Sequence, residues 1–153
     1  MAHADPIDRR EASAAVRVAA VTDRPIDLVA LRDAAGARSD GAVVVFEGVV
    51  RDHDGGRGVT ALSYTAHPSA EAVLAETAND VAARHPAATI AVAHRVGPLA
   101  IGDVALGAVV ASAHRAEAFA ACAELVDEVK ARVPIWKEQR FVDGSSEWVS
   151  ALD

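Results

Sequence analysis

Lys130-Ala131-Arg132-Val133-Pro134-Ile135-Trp136-Lys137 decides how the second half of this chain folds. Proline lacks the N–H that a helix interior requires and disfavours the α conformation at the preceding residue, here Val133. A helix that closes at Lys130 therefore stops, and an extended segment begins near Lys137. Upstream, Phe119, Cys122, Val126 and Val129 recur at helical spacing and define one buried stripe, with Ser112 placed to cap the helix start. Downstream, Trp136 to Val142, the turn Asp143-Gly144-Ser145-Ser146 and Trp148-Val149 read as a hairpin.

Working outward, the strongest strand is Ala42-Val43-Val44-Val45-Phe46-Glu47-Gly48-Val49-Val50, dense in β-branched residues. Arg51 follows it, and Arg51 to Gly58 is polar and glycine-rich, the composition of a surface loop. Val59 to Ala66 resumes a strand with Leu62 and Tyr64 on one face. Pro68 and Ser69 introduce a helix to about His85, in which Leu74, Ala78 and Val81 share a side. Strands are expected over Ala14 to Val21, Thr89 to Val96 and Val104 to Ser112, and a short helical stretch from Pro25 through Leu31. Strands and helices mix without regular βαβ alternation, so the expected fold is one α+β domain, with a largely antiparallel sheet and flanking helices, over residues 14–153. Residues 1–13 are expected to be a mobile tail.

A chain of 153 residues can bury roughly two-thirds of the surface its unfolded form exposes. Apolar residues make up 52% but aromatics only 4%, so alanine and valine must fill much of the interior. A net charge of -7 argues against general binding to nucleic acid, which needs cations to displace phosphate counterions. An anionic partner needs a local basic site instead. The single cysteine, Cys122, excludes an internal disulfide and a thiolate-rich metal site, and on its helix it suits a core position. No apolar run reaches the roughly 20 residues of a membrane span, and the N-terminal residues lack a signal-peptide pattern, so a cytoplasmic protein is expected.

Lys130 and Lys137 fall on two different elements, an arrangement that aims two ammonium groups into one pocket; lysines ending a helix are also ordinary complements to its dipole. His114-Arg115 opens the last long helix, where free N–H groups favour an anion. An exposed arginine beside a packing or capping histidine is the more ordinary reading there. Arg51, directly after the best strand, has the placement of a binding group and equally of a plain loop arginine. His53 lies between Asp52 and Asp54 without a second ligand pair at metal spacing, so no metal is expected, and no cofactor.

In order and spacing, Gly-Ala-Val-Val-Val-Phe-Glu-Gly-Val-Val-Arg-Asp-His (41–53), His-Arg-Val-Gly (94–97), Ser-Ala-His-Arg-Ala-Glu-Ala-Phe (112–119) and the Lys130–Lys137 stretch resemble the large, catalytic subunits of molybdopterin synthase, the MoaE family. The resemblance spans about Val16 to Val149. It implies an α/β-hammerhead fold and a sulfurtransferase that works as a homodimer within a heterotetramer. Its partner would be a small ubiquitin-like sulfur carrier whose C-terminal Gly-Gly thiocarboxylate enters the large subunit's pocket. Sulfur would pass to cyclic pyranopterin monophosphate, forming the dithiolene of molybdopterin. This chain ends Ala151-Leu152-Asp153 and is not expected to be the carrier. By the resemblance Lys130 and Lys137 are catalytic, while Val49, Val50, Arg51, His114, Arg115, Glu138 and Gln139 join the two lysines in binding substrate. Many relatives carry a basic or neutral residue and then Glu after the second lysine, where this chain has Glu138 and then Gln139. A non-catalytic assembly module that binds the carrier is the alternative; so complete a set of cationic residues counts against it. A phosphoester hydrolase at the same site lacks an evident nucleophile or metal.

Overall fold

The computed structural model describes residues 15–150, with side chains through Val149. The expected mobile tail, residues 1–13, lies outside the described residues. Twelve elements follow in order: β1 (Val16–Thr22), α1 (Leu28–Ala35), β2 (Ala42–Val49), β3 (His53–Asp54), β4 (Arg57–Ala66), α2 (Ala70–Arg84), β5 (Thr89–Arg95), β6 (Gly97–Leu99), β7 (Val104–Ser112), α3 (Arg115–Arg132), β8 (Ile135–Phe141) and β9 (Ser146–Ser150).

The strands form two sheets where one was expected. The first has the order β1-β5-β7-β2, the second β3-β4-β8-β9, with β6 also pairing to β4. Only β1 and β5 run parallel; every other ladder is antiparallel. The first sheet is covered on both faces, which explains why β5 and β7 read as unbroken apolar runs. On one face Ile90, Val92, Leu106, Ala108 and Val110 meet Leu74, Ala78 and Val81 of α2 and Ala121, Leu125 and Val129 of α3. On the other, Ala91, Ala93, Val109 and Ala111 meet Leu31 and Ala35 of α1. That second layer is thin because its residues are small. Gly107 lets α1 approach closely: a Cβ there would lie 3.0 Å from both Ile26 Cγ2 and Leu28 Cδ2.

Several local expectations change. The first helix extends to Ala35, one turn past Leu31, because Leu31 and Ala35 bury together at i,i+4. Its start is fixed by Asp27, whose Oδ1 accepts from Ala30 N at 3.0 Å. The polar stretch after Arg51 contains a tight hairpin: Gly55 and Gly56 have φ of 57° and 78°, so the chain reverses in two residues and His53-Asp54 pair with Gly58 and Arg57. Ser112 does not cap α3; it ends β7 opposite Ala42, and His114 occupies the N-cap. Phe119 is 61% exposed, and the buried stripe of α3 is Ala118, Ala121, Cys122, Leu125 and Val129. Lys130 lies in the last turn of α3, which continues to Arg132.

Candidate functional site

A third, small core of Val50, Leu62, Leu99 and Ala105 sits between the sheets, with Tyr64 packed against it. Beside it opens a cavity of about 330 Å³. Six pieces of chain supply its walls. The end of β2 gives Gly48, Val49 and, just beyond, Arg51; β7 gives Ala105 and Leu106. Consecutive residues from one strand face the same space because the ladder slips there. Gly48 pairs with Leu106 and Val49 with Val104, leaving Ala105 extra. Such a bulge redirects side chains at the rim of a site.

Two further walls come from either side of the break at Pro134. Val133 is extended, with φ -76° and ψ 122°, and its N–H still bonds Val129 O, so it caps α3, which ends at Arg132, two residues before the proline. Lys130 and Val133 project from this last turn, and Ile135 and Lys137 project from β8 two residues apart, on the same face. Lys130, Lys137 and Arg51 thus line one cavity, each from a different stretch of chain. Tyr64, opposite Lys137 in the β4–β8 ladder, also lines it.

The same period of two decides which expected residues are absent from the walls. Val50 is 5% exposed and turns into the small core, next to Arg51 but away from the cavity. Glu138 shares the opposite face of β8 with Trp136. Trp136 is 42% exposed and lies outside the cavity. Gln139 returns to the face of Lys137 but lies beyond the cavity, 3% exposed, and its Nε2 donates to Asp54 Oδ2 at 2.6 Å. That bond first, then the charges of Lys137 and Arg51, hold the Asp54 carboxyl below its ordinary range against the opposing effect of burial. Arg51 Nη2 stands 3.7 Å from Asp54 Oδ1. His114 and Arg115 are exposed at the far end of α3. The rise from Arg115 to Lys130 along the helix is roughly 22 Å, so within one chain this pair does not reach the lysines.

In the sequence His94 stands out only as part of His-Arg-Val-Gly. The structure puts it in the cavity wall, 7% exposed. Its Nδ1 donates to Arg95 O at 2.8 Å, and its ring meets Tyr64 edge-on, centroids 5.0 Å apart at 78°. Burial pushes its pKa down, the Lys130 charge adds to that, and the bond to the Arg95 carbonyl opposes both. The one signal that could have found it is a histidine inside an otherwise apolar strand.

Among the described residues, no three His, Cys, Asp or Glu side chains gather to hold a metal, and no helix is long and apolar enough to cross a membrane. Cys122 is buried, and burial raises its thiol pKa.

Comparison with known proteins places these features. The family model described as "MoaE protein" matches residues 21–132. A molybdopterin synthase catalytic subunit from Nostoc sp. is 38% identical over 133 residues, covering 86% of this chain and 81% of the relative. The crystal structure of molybdopterin synthase from Staphylococcus aureus matches with a TM-score of 0.79 at 35% identity, over 84% of this chain and 94% of that one. A Helicobacter pylori structure, a complex of subunits 1 and 2 of molybdopterin-converting factor, has a TM-score of 0.65 at 21% identity over 90% of each chain, a likeness of fold alone. Matched over most of its length in both sequence and fold, this chain belongs to the MoaE family.

Proposed function

We propose that this chain is the catalytic subunit of a molybdopterin synthase, a sulfurtransferase of molybdenum cofactor biosynthesis. It takes sulfur from the C-terminal thiocarboxylate of a small ubiquitin-like carrier and passes it to cyclic pyranopterin monophosphate. The observation that supports this most is the convergence of Arg51, Lys130 and Lys137 on one cavity of an otherwise acidic protein. A thiocarboxylate and a phosphate are both anions, and only local cations offset their repulsion in a shared site. Lys130 acts beside the thiocarboxylate as general acid or electrostatic stabiliser, and Lys137 orients the substrate and stabilises the leaving phosphate oxygen. Arg51 holds the substrate's phosphate.

His114 and Arg115 enter from a second copy. In a homodimer that lays the start of one α3 against the other copy's cavity, the helix N-terminus and its two side chains add an anion seat the single chain lacks there. Two carriers on such a dimer make a heterotetramer, consistent with the two-subunit complex solved for the Helicobacter pylori protein. We place the assembly in the cytoplasm, without a membrane or nucleic-acid partner.

The purified chain, mixed with thiocarboxylated carrier and cyclic pyranopterin monophosphate, should yield molybdopterin; no product from verified substrates overturns the proposal. Lys130→Ala should abolish turnover while carrier binding stays nearly intact. Wild-type turnover in that variant overturns the role of Lys130.

A further inference from the structure

We propose that His94 is a catalytic base in this cavity, accepting a proton from the water molecule that releases the carrier's acyl group. The inference rests on the sulfurtransferase function above. When a thiocarboxylate sulfur becomes bonded to a second molecule, the carrier is left joined to it through an acyl–sulfur bond. Freeing the carrier requires an oxygen nucleophile at the acyl carbon, and water supplies it. The water oxygen bonds that carbon, one water proton goes to His94 Nε2, and the C–S bond breaks with its electron pair passing to sulfur. The carrier leaves as a carboxylic acid that ionises into solvent, and the imidazolium returns its proton to solvent. The resulting thiolate is stabilised by the adjacent Lys130.

The cavity offers few candidates for that base. Its polar side chains besides His94 are Arg51, Lys130, Lys137 and Tyr64. The first three are cations, and burial raises the pKa of the Tyr64 phenol, which therefore stays protonated at neutral pH. Of the side chains this chain itself places there, His94 alone combines a basic lone pair with a fixed orientation; His114, brought in from a second copy, is exposed and makes no capping hydrogen bond. Its Nδ1 is committed as a donor to Arg95 O, which sets the tautomer and leaves Nε2 proton-free for the cavity. The edge-on contact with Tyr64 holds the ring in place. Burial and Lys130 favour the neutral ring, the form that can accept a proton.

The test is a single turnover with thiocarboxylated carrier and cyclic pyranopterin monophosphate, followed by intact-mass detection of the carrier–substrate adduct. His94→Asn keeps a short N–H donor for the Arg95 carbonyl and removes the base. Adduct should form within about threefold of the wild-type rate and decay on the order of 100-fold more slowly. In His94→Ala, millimolar imidazole should restore decay, which a merely structural role would not allow. Adduct decay in folded His94→Asn within about threefold of wild type overturns the proposal, as does a loss confined to the rate of adduct formation. Should both variants fail to fold, the wild-type protein decides. The acid limb of its adduct decay must coincide with the His94 titration followed by NMR, in the presence of the facing groups Arg51, Tyr64, Lys130 and Lys137. A mismatch overturns the assignment. No product from wild type would refute the sulfurtransferase function itself, whereas product from both wild type and His94→Asn at equal rates refutes only the role of His94.

Discussion

Replacing Gln139 by Met removes one hydrogen-bond donor while roughly keeping side-chain volume, and so isolates the bond that pins the β3–β4 hairpin beside the cavity. Gln139 is buried, and its Nε2 lies 2.6 Å from Asp54 Oδ2. A hydrogen bond to a charged partner contributes roughly 1.5–3 kcal/mol. The Asp54 side chain is 35% exposed, so water replaces part of what is lost, and the expected destabilisation is the lower end, about 1.5–2 kcal/mol. For a chain of this size that lowers Tm by roughly 3–8 °C. The pH dependence follows from Asp54. Its folded pKa is depressed, so the stability it contributes is fully present above its unfolded value of about 3.9 and is lost as pH falls through the folded value. The gap between wild type and Gln139→Met should therefore be widest near neutral pH and close in acid. Urea denaturation at fixed chain concentration, at neutral pH and at about pH 3, measures both. A cycle with Asp54→Asn should recover most of the effect as coupling between the two residues. A loss below about 0.5 kcal/mol at neutral pH, or a gap that widens in acid, refutes the proposed role of this bond.

Leu125 is fully buried between α3 and the first sheet, so Leu125→Ala should cost about 2–5 kcal/mol, read as a fall in the denaturation midpoint with an unchanged slope. Gly107→Val places carbon atoms where Ile26 and Leu28 already stand and should destabilise by about 1–3 kcal/mol or more; hydrogen exchange should show the loss concentrated in α1.

How far the sequence alone carried depended on whether the signal was local. Pro134 acts on its own neighbours, and the break it imposes, with Lys130 on a helix and Lys137 on a strand, stands as read. The Leu74-Ala78-Val81 stripe is likewise a matter of spacing, and all three residues are buried. Phe119 misled because a large apolar side chain outweighs small ones in any hydrophobic pattern. In this alanine-rich interior Ala118 and Ala121 take the buried side. The division into two sheets depends on pairings between strands far apart in sequence, β2 with β7 and β4 with β8, which leave no periodic trace. Within the site, Arg51, Lys130 and Lys137 were legible as charges at element ends. Glu138 and Val50 were carried over from the resemblance, and strand alternation turns both away from the cavity. His94 needed the fold, because a histidine in a buried strand looks like a satisfied core residue until a cavity is seen beside it.

The 18 residues of α3 act as a spacer of roughly 27 Å. If, as proposed, His114-Arg115 of one copy complete the cavity that holds Lys130 of another, an isolated chain carries two half-sites and no complete one. Catalytic competence then becomes a matter of mass action. Specific activity should fall with dilution once the chains separate, without any loss of fold, and the cell's supply of working sites should rise faster than in proportion to the amount of protein near that threshold.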